Sequence, residues 1–329
     1  MIYEYAIAPD FLFELADKRD LADRLLGAFG IGKACVLAGY PEDLGDIAYA
    51  KIEEEEACAK DQKLKAKLQI RKHKVIELAT NLTRSGITKR YGAKKWEGAF
   101  VEEHRRLPFE GILFGDTTTF SDLPFRNLDW LRKDCPLFLH PGSVDSPRTA
   151  EELGATLAPL LRNASSLTFV DPYFFPKDRY KKSYRNYFET IDRANNVRAQ
   201  DELREVLIIC TRERPNKIEP IPHDEFRNVC LRELPRVIPE GLRIRIHCIN
   251  NKDGGQRIHN RYVLSEIGGV FLGAGTDLAQ HNDTSDDIAI LGQSQVAKWN
   301  KAYTPGSGTF DWSEPPVIVG RQGVIAPGG

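Results

Sequence analysis

The sequence predicts an α/β protein: a layered domain of strands and helices over residues 150–305, preceded by a mainly helical region over 1–145 and followed by a Gly/Pro-rich tail over 306–329. Two observations carry this. Beyond residue 150 the short apolar segments LTFVDPYFF, EVLIICT, LRIRIHCI, IHNRYVLS and GVFLGAG alternate with longer helical patterns, and such alternation builds a sheet covered by helices, with sites gathered at strand ends. Before residue 145 the long periodic stretches are charged and helical. The turn-rich HPGSVDSPRT, residues 140–149, marks the boundary, and 329 residues suit two domains.

Taken in order, ADRLLGAF reads as a helix and ACVLAGY as a strand, joined by glycines. The octet GAFGIGKA has P-loop spacing, but Ala34 stands where a magnesium-binding hydroxyl belongs. Helix before loop and strand after it is also the reverse of the P-loop order, so the glycines are read as a turn. The run KIEEEEACAKDQKLKAKLQIRKHKVIELATNL places acids first and bases later, as one helix complementing its dipole, with Glu56–Lys60 and Asp61–Lys65 one turn apart. Its Arg71, Lys72 and Lys74 form either a solvated face or a nucleic-acid face. In KKWEGAFVEEHRRLPFEG a helix carries Trp96, Phe100 and Val101 on one side and ends at Pro108. His104, beside Glu102 and Glu103, is read as structural.

In the second half, AEELGATLAPLLRNA, residues 181–195 and HDEFRNVCLRELPRVI read as helices. Tyr180, Tyr184, Tyr187, Phe188 and Ile191 follow helical spacing towards a core, while Lys177, Lys181, Lys182 and Arg185 are placed to form a basic rim.

The 46 basic and 47 acidic residues nearly cancel, so net charge gives no pull towards nucleic acid or anionic lipid. Six cysteines lack a C-x-x-C pair or a disulfide ladder. No secretory signal and no membrane-spanning apolar run is seen, so a cytoplasmic location is expected.

The chemistry concentrates in RIHNRYVLSEIGGVFLGAGTD, residues 257–277. If IHNRYVLS is a strand, His259 and Arg261 share a face, an imidazole beside a guanidinium at a strand end. Gly273 and Gly275 would let a phosphate or another backbone approach. Asp171, in DPYF, and Asp277 lie at strand ends, where each either orients the His–Arg pair or serves as a turn acid. Arg212 and Arg214, after EVLIICT, are further basic candidates.

From His259 the order is His, one residue, Arg261, four residues, Glu266, six residues, then Gly273-Ala274-Gly275-Thr276. This resembles the phospholipase D superfamily motif, with Arg261 for Lys, Glu266 for Asp, Ala274 for Ser and Thr276 for Asn. HNRYVL followed by GGVFLGAGTD, with DPYF upstream, looks closer still to the phospholipase-D-like domain at the C-terminus of MIT-domain proteins and to its prokaryotic relatives. The resemblance covers residues 150–305.

It implies a layered sandwich with a mixed sheet, and a phosphodiesterase-like protein acting on or binding phosphodiesters, with nucleic acid in a prokaryotic anti-phage defence system as the expected setting. His259 would be a nucleophile forming a phosphohistidine, Arg261 the phosphate anchor, Glu266 its support, and Gly273, Gly275 and Thr276 the phosphate cradle. No metal or cofactor is required. A second histidine would come from a homodimer mate, and a partner defence protein is a further expectation. The alternative is a non-catalytic adaptor that binds a protein or a membrane lipid headgroup.

Overall fold

The computed structural model describes residues 2–88, 90, 96–115, 124–131, 135, 142–196, 203–213, 219–279 and 284–324. The chain divides into two compact units, residues 2–141 and 142–329.

In the first unit, β1 (Tyr3–Ile7) is followed by α1 (Pro9–Ala16), α2 (Arg19–Ala28) and β2 (Cys35–Ala38). The chain continues through α3 (Leu44–Cys58), α4 (Gln62–Arg84), β3 (Ile87–Thr88), α5 (Trp96–Arg106), β4 (Gly111–Leu113) and β5 (Phe125–Arg126). The five strands form one parallel sheet in the order β3-β2-β1-β4-β5. The mainly helical expectation for residues 1–145 is thus corrected to α/β.

Strand β2 falls within ACVLAGY, as read; the others escape a periodicity reading because they are short and because the central one carries a charge. Glu4 is 2% exposed within β1. Arg90 satisfies it: Nε donates to Glu4 Oε1 at 2.9 Å, Nη2 donates to Oε2, and Nη1 reaches Glu103 Oε1 at 3.0 Å and the Leu107 carbonyl at 2.7 Å. The guanidinium also lies 3.7 Å from the centre of the Phe109 ring. Buried charges persist only when paired and hydrogen-bonded in this way.

The long charged run is two helices. Asp61 caps α4 by accepting from the Lys63 N–H at 2.9 Å, and the acidic and basic halves pair across a helical hairpin. Lys72 Nζ meets Glu53 at 2.9 Å and Gln69 donates to Glu56 at 2.6 Å. Arg71 is taken by Asp17, so two of the three bases are committed to nearby acids, while Lys74 is exposed. The glycine turn is as expected: Gly30 and Gly32 have φ of 128° and 81° between α2 and β2. His104 is structural as read, its Nδ1 accepting from the Phe109 N–H at 3.2 Å. The Phe100 side chain is buried, and that of Trp96 lies outside the described residues.

The second unit begins with β6 (Ser143–Pro147), α6 (Ala150–Asn163), β7 (Leu167–Val170), α7 (Asp178–Asn195), β8 (Glu205–Cys210) and α8 (His223–Glu233). It continues with β9 (Arg243–Cys248), β10 (Arg261–Leu264), β11 (Gly269–Leu272), β12 (Ser285–Ile290), α9 (Gln293–Ala302), β13 (Val317–Gly320) and β14 (Gly323–Val324). The order in the sheet is β14-β13-β9-β8-β7-β10-β11-β12-β6. Strands β7, β8 and β9 are mutually parallel, and the remaining neighbours pair antiparallel.

Two expectations change here. The turn-rich boundary contains an edge strand, β6. The expected tail over 306–329 contains β13, whose Val317–Gly320 pairs with β9.

Helices cover both faces of this mixed sheet. Phe169 packs against Tyr184 and Tyr187 of α7, at 5.2 and 5.6 Å between ring centres. It is in register with Val263, so adjacent Tyr262 points to the other face, where it stacks on Trp299 of α9 at 5.1 Å. The aromatic stripe of α7 is buried as its spacing predicts.

A candidate phosphate site at one edge of the mixed sheet

Strand direction brings most of the predicted residues to one edge. Strands β6, β7 and β11 end there, while β10 and β12 start there, so Arg148, Asp171, Gly273–Asp277, Arg261 and Asp286 converge.

At its centre lies an acid-rich knot under the β11–β12 loop. Asp171, 1% exposed, accepts from the Thr276 N–H at 3.0 Å and its hydroxyl at 2.7 Å through one oxygen, and from the Tyr173 N–H at 3.0 Å through the other. The Thr276 hydroxyl also lies 3.1 Å from Tyr184 Oη, and its carbonyl accepts from Tyr187 Oη at 3.2 Å. Asp277 forms ion pairs of 2.7 Å with both Arg148 and Arg179. Burial holds its carboxyl above the ordinary carboxylate range, against the pull of Arg179 and Arg148.

This overturns the phosphate-cradle expectation. The Ala274 N–H donates to Asp286 Oδ1 at 2.8 Å and the Gly273 N–H to the Asp287 carbonyl at 3.3 Å. These amides, with that of Thr276, are spent on the protein's own oxygens. A Cβ on Gly273 would lie 2.9 Å from Asp286 Oδ1, so the close approach permitted there is to a carboxylate. Gly275, at φ +129°, supplies the left-handed turn.

Three further placements differ from expectation. Glu266 sits at the far end of β10, where it accepts from the Ser165 N–H at 2.6 Å, the Ser166 N–H at 3.0 Å and the Ser166 hydroxyl at 2.9 Å. The whole of β10, Arg261–Leu264, lies between it and the edge where Arg261 starts, so it does not support the pair. Arg212 is held by Glu314 and the Ile221 carbonyl, and Arg214 lies outside the described residues. The regular strand begins at Arg261, so His259 lies just before it.

What remains open is basic. His259 is exposed and makes no hydrogen bond or ion pair with the described residues. Arg261 is half-buried; Nη1 donates to the Gly273 carbonyl at 3.2 Å, the guanidinium lies 5.1 Å from the Tyr173 ring centre, and Nε is buried without a partner. Of the predicted basic rim, Lys181 is paired with Glu233 at 2.7 Å and Asp178 at 3.0 Å, whereas Lys177, Lys182 and Arg185 are exposed.

Sequence reasoning missed Arg148, Arg179 and Asp286. Only Asp286 left a signal: it shares a strand face with Ile288 and Ile290, the mark of an inward-facing acid.

Among the described residues no helix is long and apolar enough to cross a membrane. No protein-family model matches the chain, and a search of curated proteins finds no similar one.

Proposed function

We propose that the second unit engages phosphodiesters at this edge, with Arg261 as the phosphate anchor and His259 as the group facing phosphorus. The carrying observation is selective commitment. Asp171, Asp277, Arg148, Arg179 and Arg212 are engaged with other side chains of the unit, whereas the His259 side chain is open and Arg261 meets no described carboxylate, donating only to the Gly273 carbonyl. A forked guanidinium suits phosphate oxygens.

The motif's likeness to the phospholipase D superfamily extends this reading to a metal-independent histidine nucleophile, a second histidine from a homodimer mate, and nucleic acid as substrate within anti-phage defence. A second reading, binding without turnover, is favoured by one specific feature. No described carboxylate touches His259, and a catalytic imidazole is ordinarily held by such a group.

The test is hydrolysis in EDTA of bis-p-nitrophenyl phosphate and of labelled single- and double-stranded DNA and RNA, comparing wild type with His259→Ala. Turnover that survives chelation and disappears in the variant supports the nucleophile. Binding that is lost in Arg261→Gln, with no turnover in any protein, supports the anchor alone. Neither turnover nor binding ends both readings.

A further inference from the structure

The first unit carries a site that the phosphodiester reading does not use. Its parallel sheet runs β3-β2-β1-β4-β5, so the chain leaves β1 for β2 on one side and later returns to place β4 on the other. At such a switch point the loops beyond the strand ends diverge and leave a crevice, where open α/β sheets bind ligands.

Three features meet at this edge. The first is a cavity of about 340 Å³ lined by Phe114, Phe125, Arg126, Asn127 and Trp130, which directly follow or belong to β4 and β5. Phe114, Phe125 and Trp130 are only half-buried. Phe114 and Phe125 meet edge to face at 5.2 Å, and the Arg126 guanidinium lies 5.6 Å from the Trp130 ring. Half-open aromatic walls beside a cation suit a planar, electron-rich ring.

The second is Asp10, in the first turn of α1 just after β1. Its Oδ1 is buried without a hydrogen-bond partner, and a buried unsatisfied carboxylate oxygen calls for a donor. The third is Gly115, the residue after Phe114. A Cβ there would lie 2.7 Å from Asp10 Oδ2 and 3.0 Å from Glu14 Oε1, so only a bare backbone lets the chain next to the cavity-lining Phe114 pass against the two acids.

We infer that this edge binds a nucleotide, with its base against the Trp130 and Phe125 rings, its ribose hydroxyls donating to Asp10, and Arg126 meeting the phosphate. The combination selects this class. A hydrocarbon would leave the acid and the arginine unanswered, whereas a nucleotide carries a flat ring, neutral hydroxyl donors and an anion in one molecule.

The experiment is equilibrium dialysis of the full-length protein with labelled ATP, GTP, UTP and adenosine. Saturable binding is expected, weakened about tenfold by Trp130→Ala through lost stacking and by a similar factor in Asp10→Asn through loss of a charged acceptor. Arg126→Gln should weaken ATP and leave adenosine nearly unchanged. Far-UV circular dichroism checks each fold, and the milder Asp10→Asn and Arg126→Gln decide the matter if Trp130→Ala does not fold. The inference is overturned if folded wild type binds none of the four ligands at millimolar concentration, or if binding is indifferent to both mild variants.

Discussion

One carboxylate oxygen of Asp171 receives both the backbone N–H and the hydroxyl of Thr276, at 3.0 and 2.7 Å, in a pocket where both residues are buried. The strand-end acid and the motif threonine thus form one structural clasp, closed further by Tyr184. Thr276→Val keeps the shape and removes the hydroxyl, stranding partners on two sides. The expected cost is about 1–3 kcal/mol of stability, read from urea denaturation. A loss below a few tenths would show that the clasp is not tight.

Asp286 gives a pH signature. Burial raises its carboxyl above the ordinary 3.8, against the opposing pull of the Ala274 amide and Arg148, and its Oδ2 has no partner. Folding therefore favours the carboxyl's titrating proton. Because the folded state holds this proton more tightly than the unfolded chain, the contribution is fully present below 3.8 and is lost as pH rises through the higher folded value. Asp286→Asn keeps an acceptor for Ala274 and removes the titration. The wild-type-minus-variant difference in stability should therefore fall with rising pH across that window, and a flat difference would refute the assignment.

The first unit depends on Arg90, whose side chain is fully buried against Glu4 and Glu103. Arg90→Met leaves two carboxylates without their shared partner, a change that costs about 3–5 kcal/mol. Hydrogen exchange should show residues 2–115 losing protection while the second unit keeps it. Equal loss in both would indicate that the units do not unfold separately.

Glu266 should matter to stability and not to phosphate. Glu266→Ala removes an exposed acceptor of three hydrogen bonds at the Ser165–Ser166 turn and is expected to cost about 1 kcal/mol. Nucleic-acid binding, measured by fluorescence anisotropy, should stay within twofold. A large loss of binding would restore Glu266 to the site.

The second unit was largely legible because its strands are apolar runs bounded by turns: LTFV, EVLIIC, RIRIHC and GVFL appear as strands. Its edge strands were not. Ser143–Pro147 reads as a turn because only one of its residues is buried, and Val317–Gly320 was hidden by the Gly/Pro composition around it. In the first unit a two-residue strand such as Ile87–Thr88 offers no period to read, and Glu4 in β1 breaks the apolar signature that its burial would otherwise produce. For the site, the sequence located His259 and Arg261. It could not show that the loop amides turn inward, because Asp171, which takes the Thr276 amide, comes from a segment remote in the chain.

The placement of β6 and β13 bears on how the second unit is made. The earliest strand of that unit and one of its last close opposite flanks of the nine-stranded sheet. During synthesis, β9 therefore waits with an unpaired backbone row until residues 317–320 have emerged, some seventy residues later by the numbering. An open row of this kind templates pairing with other chains. The nascent protein thus has a late vulnerable interval, and the strand that looked like a tail is the one that ends it.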